Sequence, residues 1–378
     1  MNTTSAATAS PSATFGVRPA AAATRGAVGR RIRGALSVRK VGGVYVLIMI
    51  VVYFSVTVPK TFPQWDTVRQ ILNGNAVSAM AALALIIPMA AGVFDISVAY
   101  TMSLSGVISA WLVVHTGLPL GVAIVLAVLA GTGVGIINGV VVVVMRIESL
   151  IATLATGSLI QALITMVTHD NSISHSKLNG SFSKIAQGSL QGLTLPILYA
   201  LVMTLAIWHL QQHTATGRRL YAVGFNRDAT RLAGINTNAL RFSTLVLSGT
   251  LAGATGVVLA SSIGSGSPTA GTPYLLFAFA AVFLGATQLK EGRFNAWGTI
   301  IAVLLLGTGT TGLGLAGAPS WARSMFTGIV LIAALAVTGL QRRSVGGARR
   351  RSWKRPANDR DATQHPTATV QQQEGEQQ

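Results

Sequence analysis

About ten apolar blocks, separated by short polar turns, run between residues 41 and 340, and their lengths decide what this chain can become. A helix needs about 20 predominantly apolar residues to cross the hydrocarbon core of a bilayer. The blocks at roughly 41–58, 71–92, 97–115, 118–144, 149–168, 192–210, 242–263, 274–289, 296–316 and 320–340 fit that requirement. Only 10% of the residues are charged, against about a quarter in an ordinary soluble domain. So few charges cannot coat a water-facing surface. The pattern predicts an all-α integral membrane protein of about ten transmembrane helices. Several blocks are short or interrupted by glycine, so some helices are expected to be broken or re-entrant, and inverted repeats are expected among them.

The basic residues report orientation, because cytoplasmic loops carry an excess of Lys and Arg. Residues 1–40 hold seven of them and no acid, 341–378 hold eight, and loop 211–241 holds Arg218, Arg219, Arg227, Arg231 and Arg241. With both termini cytoplasmic, Arg146, Lys290 and Arg293 fall on the same side, and only Lys60, Arg69, Lys177, Lys184 and Arg323 fall outside. The opposite orientation inverts this ratio. Residues 1–40 and 341–378 read as solvated cytoplasmic tails, the first held near anionic lipid and the second ending in a Gln-rich run. The net charge of +18 lies in tails and turns and not along one soluble face, which points to a lipid bilayer and not to nucleic acid.

Cysteine is absent, excluding disulfides, thiolate catalysis and cysteine-ligated metals. Of the six histidines only His209 and His213 stand four apart, and no HExxH acid accompanies them. No cofactor or metal is implied. No lysine follows a glycine, so the phosphate cradle of a nucleotide-binding loop is missing and any ATP must be hydrolysed on another chain.

Within loop 211–241, Asn226 is a helix-start residue, Asp228 places an acid in the first turn and Gly234 is a helix stop. Residues 226–234 therefore read as a short helix outside the membrane. From periodicity alone, an amphipathic connector on the lipid surface explains it equally well.

Asp95 is, with Glu148, one of two acids within the first five apolar blocks. An acid near membrane depth is expensive and has a partner or a task. Two readings stay open for Phe94, Asp95 and Ser97. Asp95 and Ser97 can cap a helix start at the positive end of its dipole, or the group can line a translocation pathway. Glycines at 131, 133, 135 and 139, and at 249, 253 and 256, have the spacing that lets helices approach closely in lipid.

Four stretches, in unbroken order, carry a family resemblance. They are Gly92-Val-Phe-Asp95-Ile-Ser97-Val-Ala99; Asn138-Gly139 with Ile151-Ala-Thr153-Leu154-Ala-Thr156; Thr214-Ala-Thr-Gly217-Arg218-Arg-Leu-Tyr-Ala222-Val-Gly224-Phe-Asn226-Arg-Asp-Ala229-Thr-Arg-Leu-Ala-Gly234-Ile235; and Pro268-Thr-Ala-Gly271 with Leu284 to Thr299. Together they resemble the ribose-type permeases of bacterial ABC importers, within the branched-chain amino acid/ribose permease superfamily, over residues 45–340. The resemblance implies a permease subunit of the cytoplasmic membrane that translocates a monosaccharide or polyol and catalyses nothing itself. It also implies three partners: an ABC ATPase subunit, an external substrate-binding protein, and a second permease copy or paralogue. It makes residues 226–234 the coupling helix seated in the ATPase, with Gly224, Asn226, Arg227, Asp228, Ala229, Arg231, Leu232 and Gly234 as its residues. Phe94, Ala99, Tyr100, Glu148, Ser149, Lys290, Glu291 and Phe294 depart from the family pattern, which bears on the cargo more than on the fold.

Two other function classes fit less well. An ion-coupled secondary transporter also has ten helices, but it places ionisable residues along its path, and the apolar blocks after the fifth hold almost none. An intramembrane enzyme needs a catalytic constellation, and no His/Asp or Ser/Lys pair at helical spacing stands out.

Overall fold

The computed structural model describes residues 38–289 and 292–353, with side-chain surroundings from 42 to 337. The expected tails at 1–40 and 341–378 lie mostly outside these residues, as do Lys290 and Glu291. The chain opens with α1 (Val38–Thr57), α2 (Trp65–Ala90), α3 (Val98–His115) and α4 (Leu120–Gly139), which runs on as one π turn over Val140–Val144. Next come α5 (Ser149–Thr168), a 3-10 turn at Ser176–Asn179, the one-turn α6 (Lys184–Gln187) and a minimal hairpin pairing Ser189–Leu190 with Leu193–Thr194. Then follow α7 (Leu195–His213), α8 (Ala215–Phe225), α9 (Arg227–Leu232), α10 (Thr237–Ile263), α11 (Thr272–Ala286), α12 (Ala296–Leu315) and α13 (Ser320–Trp353).

Among the described residues, eight helices are long and apolar enough to cross a membrane, and the apolar stretches Gly42–Thr57 and Thr272–Ala286 are shorter. All ten coincide with the ten expected blocks. The last one outruns its expected end, because α13 stays helical through Arg342, Arg343 and Arg349 to Trp353. At a rise of about 1.5 Å per residue, α11 is too short to cross roughly 30 Å of hydrocarbon by itself. The broken segment 264–271 must therefore lie at membrane depth, where irregular backbone survives only if buried and hydrogen-bonded.

Two helices form the centre. Every residue of α2 from Ala76 to Ala90 is buried, as expected of a helix that is apolar all round and sheathed by neighbours. α10 is buried over most of its second half. By contrast α4, α5, α7 and α13 bury one face and expose Leu, Ile, Val and Met on the other. In a bilayer that face meets lipid.

The two central helices head matching series. α2, the break 91–97, α3, α4 and α5 are followed later by α10, the break 264–271, α11, α12 and α13. Each series wraps the other's leading helix: α3 and α4 pack on α10, while α11 and α12 pack on α2. The series run in opposite senses. The first break abuts α8, where Gly224 presses on Ala90 and Ala91. The second is bridged on the other side by Ile173 and Gly266, which exchange backbone bonds of 2.9 Å each way. Inverted repeats therefore describe the fold.

Small residues set a close crossing of α4 and α10. A Cβ added at Gly131 would stand 2.6 Å from the Gly249 carbonyl and 2.8 Å from the Gly253 Cα, so α4 and α10 touch backbone to backbone. Ser105 locks α3 into the same place by donating to the Ala127 carbonyl (2.9 Å) and the Gly253 carbonyl (2.7 Å). Gly133 faces open space and takes no part.

Candidate functional site

The break at 91–97 exists because α2 stops at Gly92, whose φ of +72° suits glycine. The segment carries backbone groups outside any helix; α5 supplies partners for two of them, and α4 and α10 bind its side chains. The Phe94 amide donates to Ser149 Oγ (3.1 Å) and the Ile96 amide to Thr153 Oγ1 (3.0 Å), both on α5. Asp95 Oδ1 accepts from the Ser97 amide (3.1 Å) and the Ser97 hydroxyl (2.6 Å), while Oδ2 accepts from Ser248 Oγ on α10 (2.7 Å). Asn138 Nδ2 on α4 completes the cluster by donating to Ser97 Oγ at 2.7 Å.

Asp95, Ser97, Asn138 and Ser248 are each at most 1% exposed. Among the described residues the one ion pair is Arg69 with Asp66, far along the chain, so two hydroxyls and an amide carry the Asp95 carboxylate. Charge-assisted bonds of this length are the strong class. They tie the break to α10 and, through Ser97, to α4. In this arrangement every oxygen of the carboxylate is occupied and none faces an open path. The geometry is that of an Asx turn leading into α3, extended by a tertiary clamp, and the N-cap residue Ser97 makes no side-chain cap bond. Crevices beside it, between α3 and α10 and between α2, α3 and α11, are too tight for a water molecule. Phe94 is half-buried, its ring 6.4 Å from that of Phe283.

The second candidate region is the connection between α7 and α10. Thr214 Oγ1 accepts from the Gly217 amide (3.1 Å) and starts α8, which buries Leu220 and Val223. Asn226 ends α8 and begins α9: its amide donates to the Ala222 carbonyl (3.0 Å) and its Oδ1 accepts from the Ala229 amide (3.0 Å). Asp228 occupies the first turn and Gly234, at φ +80°, follows the end. Arg227 reaches Asn238 on α10 (2.9 Å).

The six-residue α9 exposes every side chain except Thr230. Ala229, Arg231 and Leu232 stand in solvent with Asp228, and Leu232 and the neighbouring Phe225 are 89% and 79% exposed. Tyr221 points the other way. Its hydroxyl donates to the Phe294 carbonyl at 2.6 Å, and the Arg293 guanidinium lies 5.6 Å from its ring centre. Burial pushes the Tyr221 phenol up to about 12, although the Arg293 charge pulls the other way.

The structure joins residues the sequence presents separately. Asp95, Asn138 and Thr153 come from two of the four marked stretches and meet, with Ser149, at one break. Ser248 was not anticipated; one serine on an apolar helix gives no signal. Helix α8 was also missed, although Thr214 followed by Leu220 and Val223 at helical spacing announces it. Glu148 caps α5, accepting from the Ile151 amide at 3.1 Å. His209 and His213 stack at 5.5 Å, and among the described residues no three His, Asp or Glu side chains gather as a metal site.

Residues 68–335 match the family described as branched-chain amino acid transport system / permease component. The chain is 30% identical over 296 residues to the ribose import permease protein RbsC of Escherichia coli (strain K12), covering 77% of this chain and 91% of that protein. It is 32% identical over 297 residues to RbsC of Bacillus subtilis (strain 168), covering 79% and 92%. It is 29% identical over 327 residues to the L-arabinose ABC transporter permease protein AraH of Azospirillum brasilense, covering 86% and 93%. No solved structure gives a significant match.

Proposed function

The chain belongs to the branched-chain amino acid transport system / permease component family, among its sugar permeases, and from that premise we propose that it is the membrane-spanning subunit of an ATP-driven importer of a monosaccharide or small polyol in a bacterial cytoplasmic membrane. A separate ATPase subunit hydrolyses the ATP, an external binding protein delivers the sugar, and a second permease copy or paralogue completes the pore. Both termini lie on the ATPase side.

One observation carries this reading beyond the family. Leu232 and Phe225 are large apolar side chains standing almost wholly in solvent on a polar helix pair beside the bundle. Residues that apolar, flanked by Arg227, Asp228 and Arg231, suit a protein groove better than water. Asn226, Ala229 and Gly234 shape the helix that presents them, and Gly224 sets it on the bundle. The docked partner is the ATPase, and α9 is the coupling helix.

The reading is tested by measuring the affinity of the permease, in nanodiscs, for the ATPase subunit encoded beside it. Asp228→Arg combined with Ala229→Trp is expected to abolish binding while thermal unfolding stays unchanged. Normal binding by that variant, or no binding by the wild type, overturns the assignment. D-ribose, D-allose and L-arabinose, offered with the neighbouring binding protein, then identify the cargo class.

A further inference from the structure

Helix α8 touches one corner of each repeat. At its C-terminal end, Gly224 lies so close to the end of α2 that a Cβ there would collide with the Ala90 carbonyl. That is the threshold of the first break, whose Asp95 binds Ser248 of α10. One turn earlier, Tyr221 binds the Phe294 carbonyl in the turn between α11 and α12. That turn belongs to the second repeat. Its two sides are tied together: Asn295 Nδ2 donates to the Arg293, Gln288 and Gly285 carbonyls at 3.0, 3.1 and 3.3 Å, and Asn295 Oδ1 caps α12 (2.7 Å). A row of rings joins the corners, Phe94 to Phe283 at 6.4 Å and Phe283 to Phe294 at 5.8 Å.

At this same C-terminal end α8 runs into α9 without a flexible linker. Asn226 is shared by both helices and hydrogen-bonded to each. Gly217 packs against the Leu210 and Gln211 backbone, which fixes α8 to the foot of α7. A displacement of α9 thus cannot be absorbed at the junction, and packed elements shift between discrete arrangements without deforming continuously.

We propose that α8 is the lever that carries movement of the coupling helix into both repeats, with Tyr221 and Gly224 as positioning residues at its two points of purchase. Tyr221 grips the turn of the second repeat and Gly224 bears on the break of the first. This deepens the importer reading and rests on it. A passive strut would need contact with one corner only.

The test exploits the absence of cysteine. Single cysteines replace Val93, at the first corner, or Ala286, at the second, both 0% exposed. Labelling rates with a maleimide are measured in nanodiscs with the ATPase bound, before and after ATP and vanadate. In the wild-type background nucleotide changes both rates. Tyr221→Phe, which keeps the ring and loses one hydroxyl, is expected to shrink the response at Ala286→Cys about fivefold or more, on the scale of ordinary coupling energies, and to spare Val93→Cys. Gly224→Ala is expected to do the reverse. Tyr221→Phe retains ATPase affinity.

Full nucleotide responses in both variants overturn the lever while leaving the importer reading intact. So does loss of ATPase binding by Tyr221→Phe alone, which would make α8 part of the docking surface, and so does a wild type whose reporters ignore nucleotide with ATPase bound. A wild type that binds no ATPase sinks the importer reading and the lever with it.

Discussion

Asn138 Nδ2 donates to Ser97 Oγ at 2.7 Å, while the Asn138 Oδ1 atom is buried without a partner. The donation fixes the direction of the chain of bonds. Ser97 has one proton, and with its oxygen accepting from Asn138 that proton goes to Asp95 Oδ1 at 2.6 Å. The break between α2 and α3 is thereby held by a directed relay from α4 through Ser97 to Asp95, with Ser248 closing it from α10.

The relay ranks its members. Ser97→Ala strands the Asn138 amide and leaves Asp95 Oδ1 with only the residue-97 backbone amide, whereas Asn138→Ala strands only a hydroxyl acceptor. A buried polar group left unsatisfied costs about 1–3 kcal/mol. Ser97→Ala is expected to lower the unfolding midpoint in detergent more than Asn138→Ala does. The reverse order would show that Ser97 has another partner.

Asp95→Asn keeps one acceptor for Ser97 and presents an amide to Ser248, whose oxygen can accept. Asp95→Ala leaves the Ser97 and Ser248 hydroxyls without their acceptor in a dry site. The alanine variant is expected to lose about 1–3 kcal/mol more than the asparagine variant, read from denaturant titration of the reconstituted protein. Equal losses would mean that charge, and not acceptor geometry, holds the break.

Neighbouring glycines on α4 should behave in opposite ways. Alanine at Gly131 meets the Gly249 carbonyl and the Gly253 Cα, and over-packing of this kind costs about 1–3 kcal/mol. Alanine at Gly133 meets nothing within 4 Å and is expected to be neutral or to stabilise by up to about 1 kcal/mol through helix propensity. Thermal melts of the two variants side by side check the contrast.

Leu232 is 89% exposed, so Leu232→Asp is expected to leave the melting temperature unchanged. Docked in a partner's groove, such a residue carries about 2 kcal/mol or more, and ATPase affinity should fall at least about tenfold. Surface-immobilised nanodiscs measure it. Unaltered affinity would move the docking site away from the tip of α9.

Tyr221 gives the protein a pH signature in alkali. Its phenol is pushed from 10.0 up to about 12 by burial, so the folded state prefers the neutral form. That stabilisation is complete below pH 10 and is lost as pH rises towards about 12. The gap in unfolding midpoint between wild type and Tyr221→Phe should therefore close over that window. A constant gap would mean that Tyr221 holds its proton equally well in the folded and unfolded states.

Long apolar blocks reveal themselves, because crossing a bilayer demands length and composition over one continuous stretch. The starts of α3 to α5, α12 and α13 lie within two residues of those expected. Local chemistry was equally legible at Asn226 and Gly234, where a cap and a left-handed glycine act within their own turn. The failures are long-range. Block 274–289 reads as a crossing, yet α11 is short and relies on a break whose burial depends on Ser103 of α3, which accepts from the Gly271 amide at 2.9 Å. Residues 169–194 look like an ordinary outer loop, but Leu178 and Phe182 are buried and Ser261 Oγ binds the Phe182 carbonyl at 2.7 Å. No window of sequence contains both partners of such contacts.

The exchange of sheaths between the repeats bears on how the chain is made. α2 emerges early in synthesis, yet three of the helices that bury it, α10, α11 and α12, lie some 150 residues or more downstream. Until they arrive, α2 lacks most of its sheath and Asp95 at the break after Gly92 lacks Ser248, so the first half must wait in the membrane as a loose, exchangeable group of helices. Completion comes only with the second half, and the two halves made as separate chains would be expected to find each other and dock, since each carries the missing wrapping of the other.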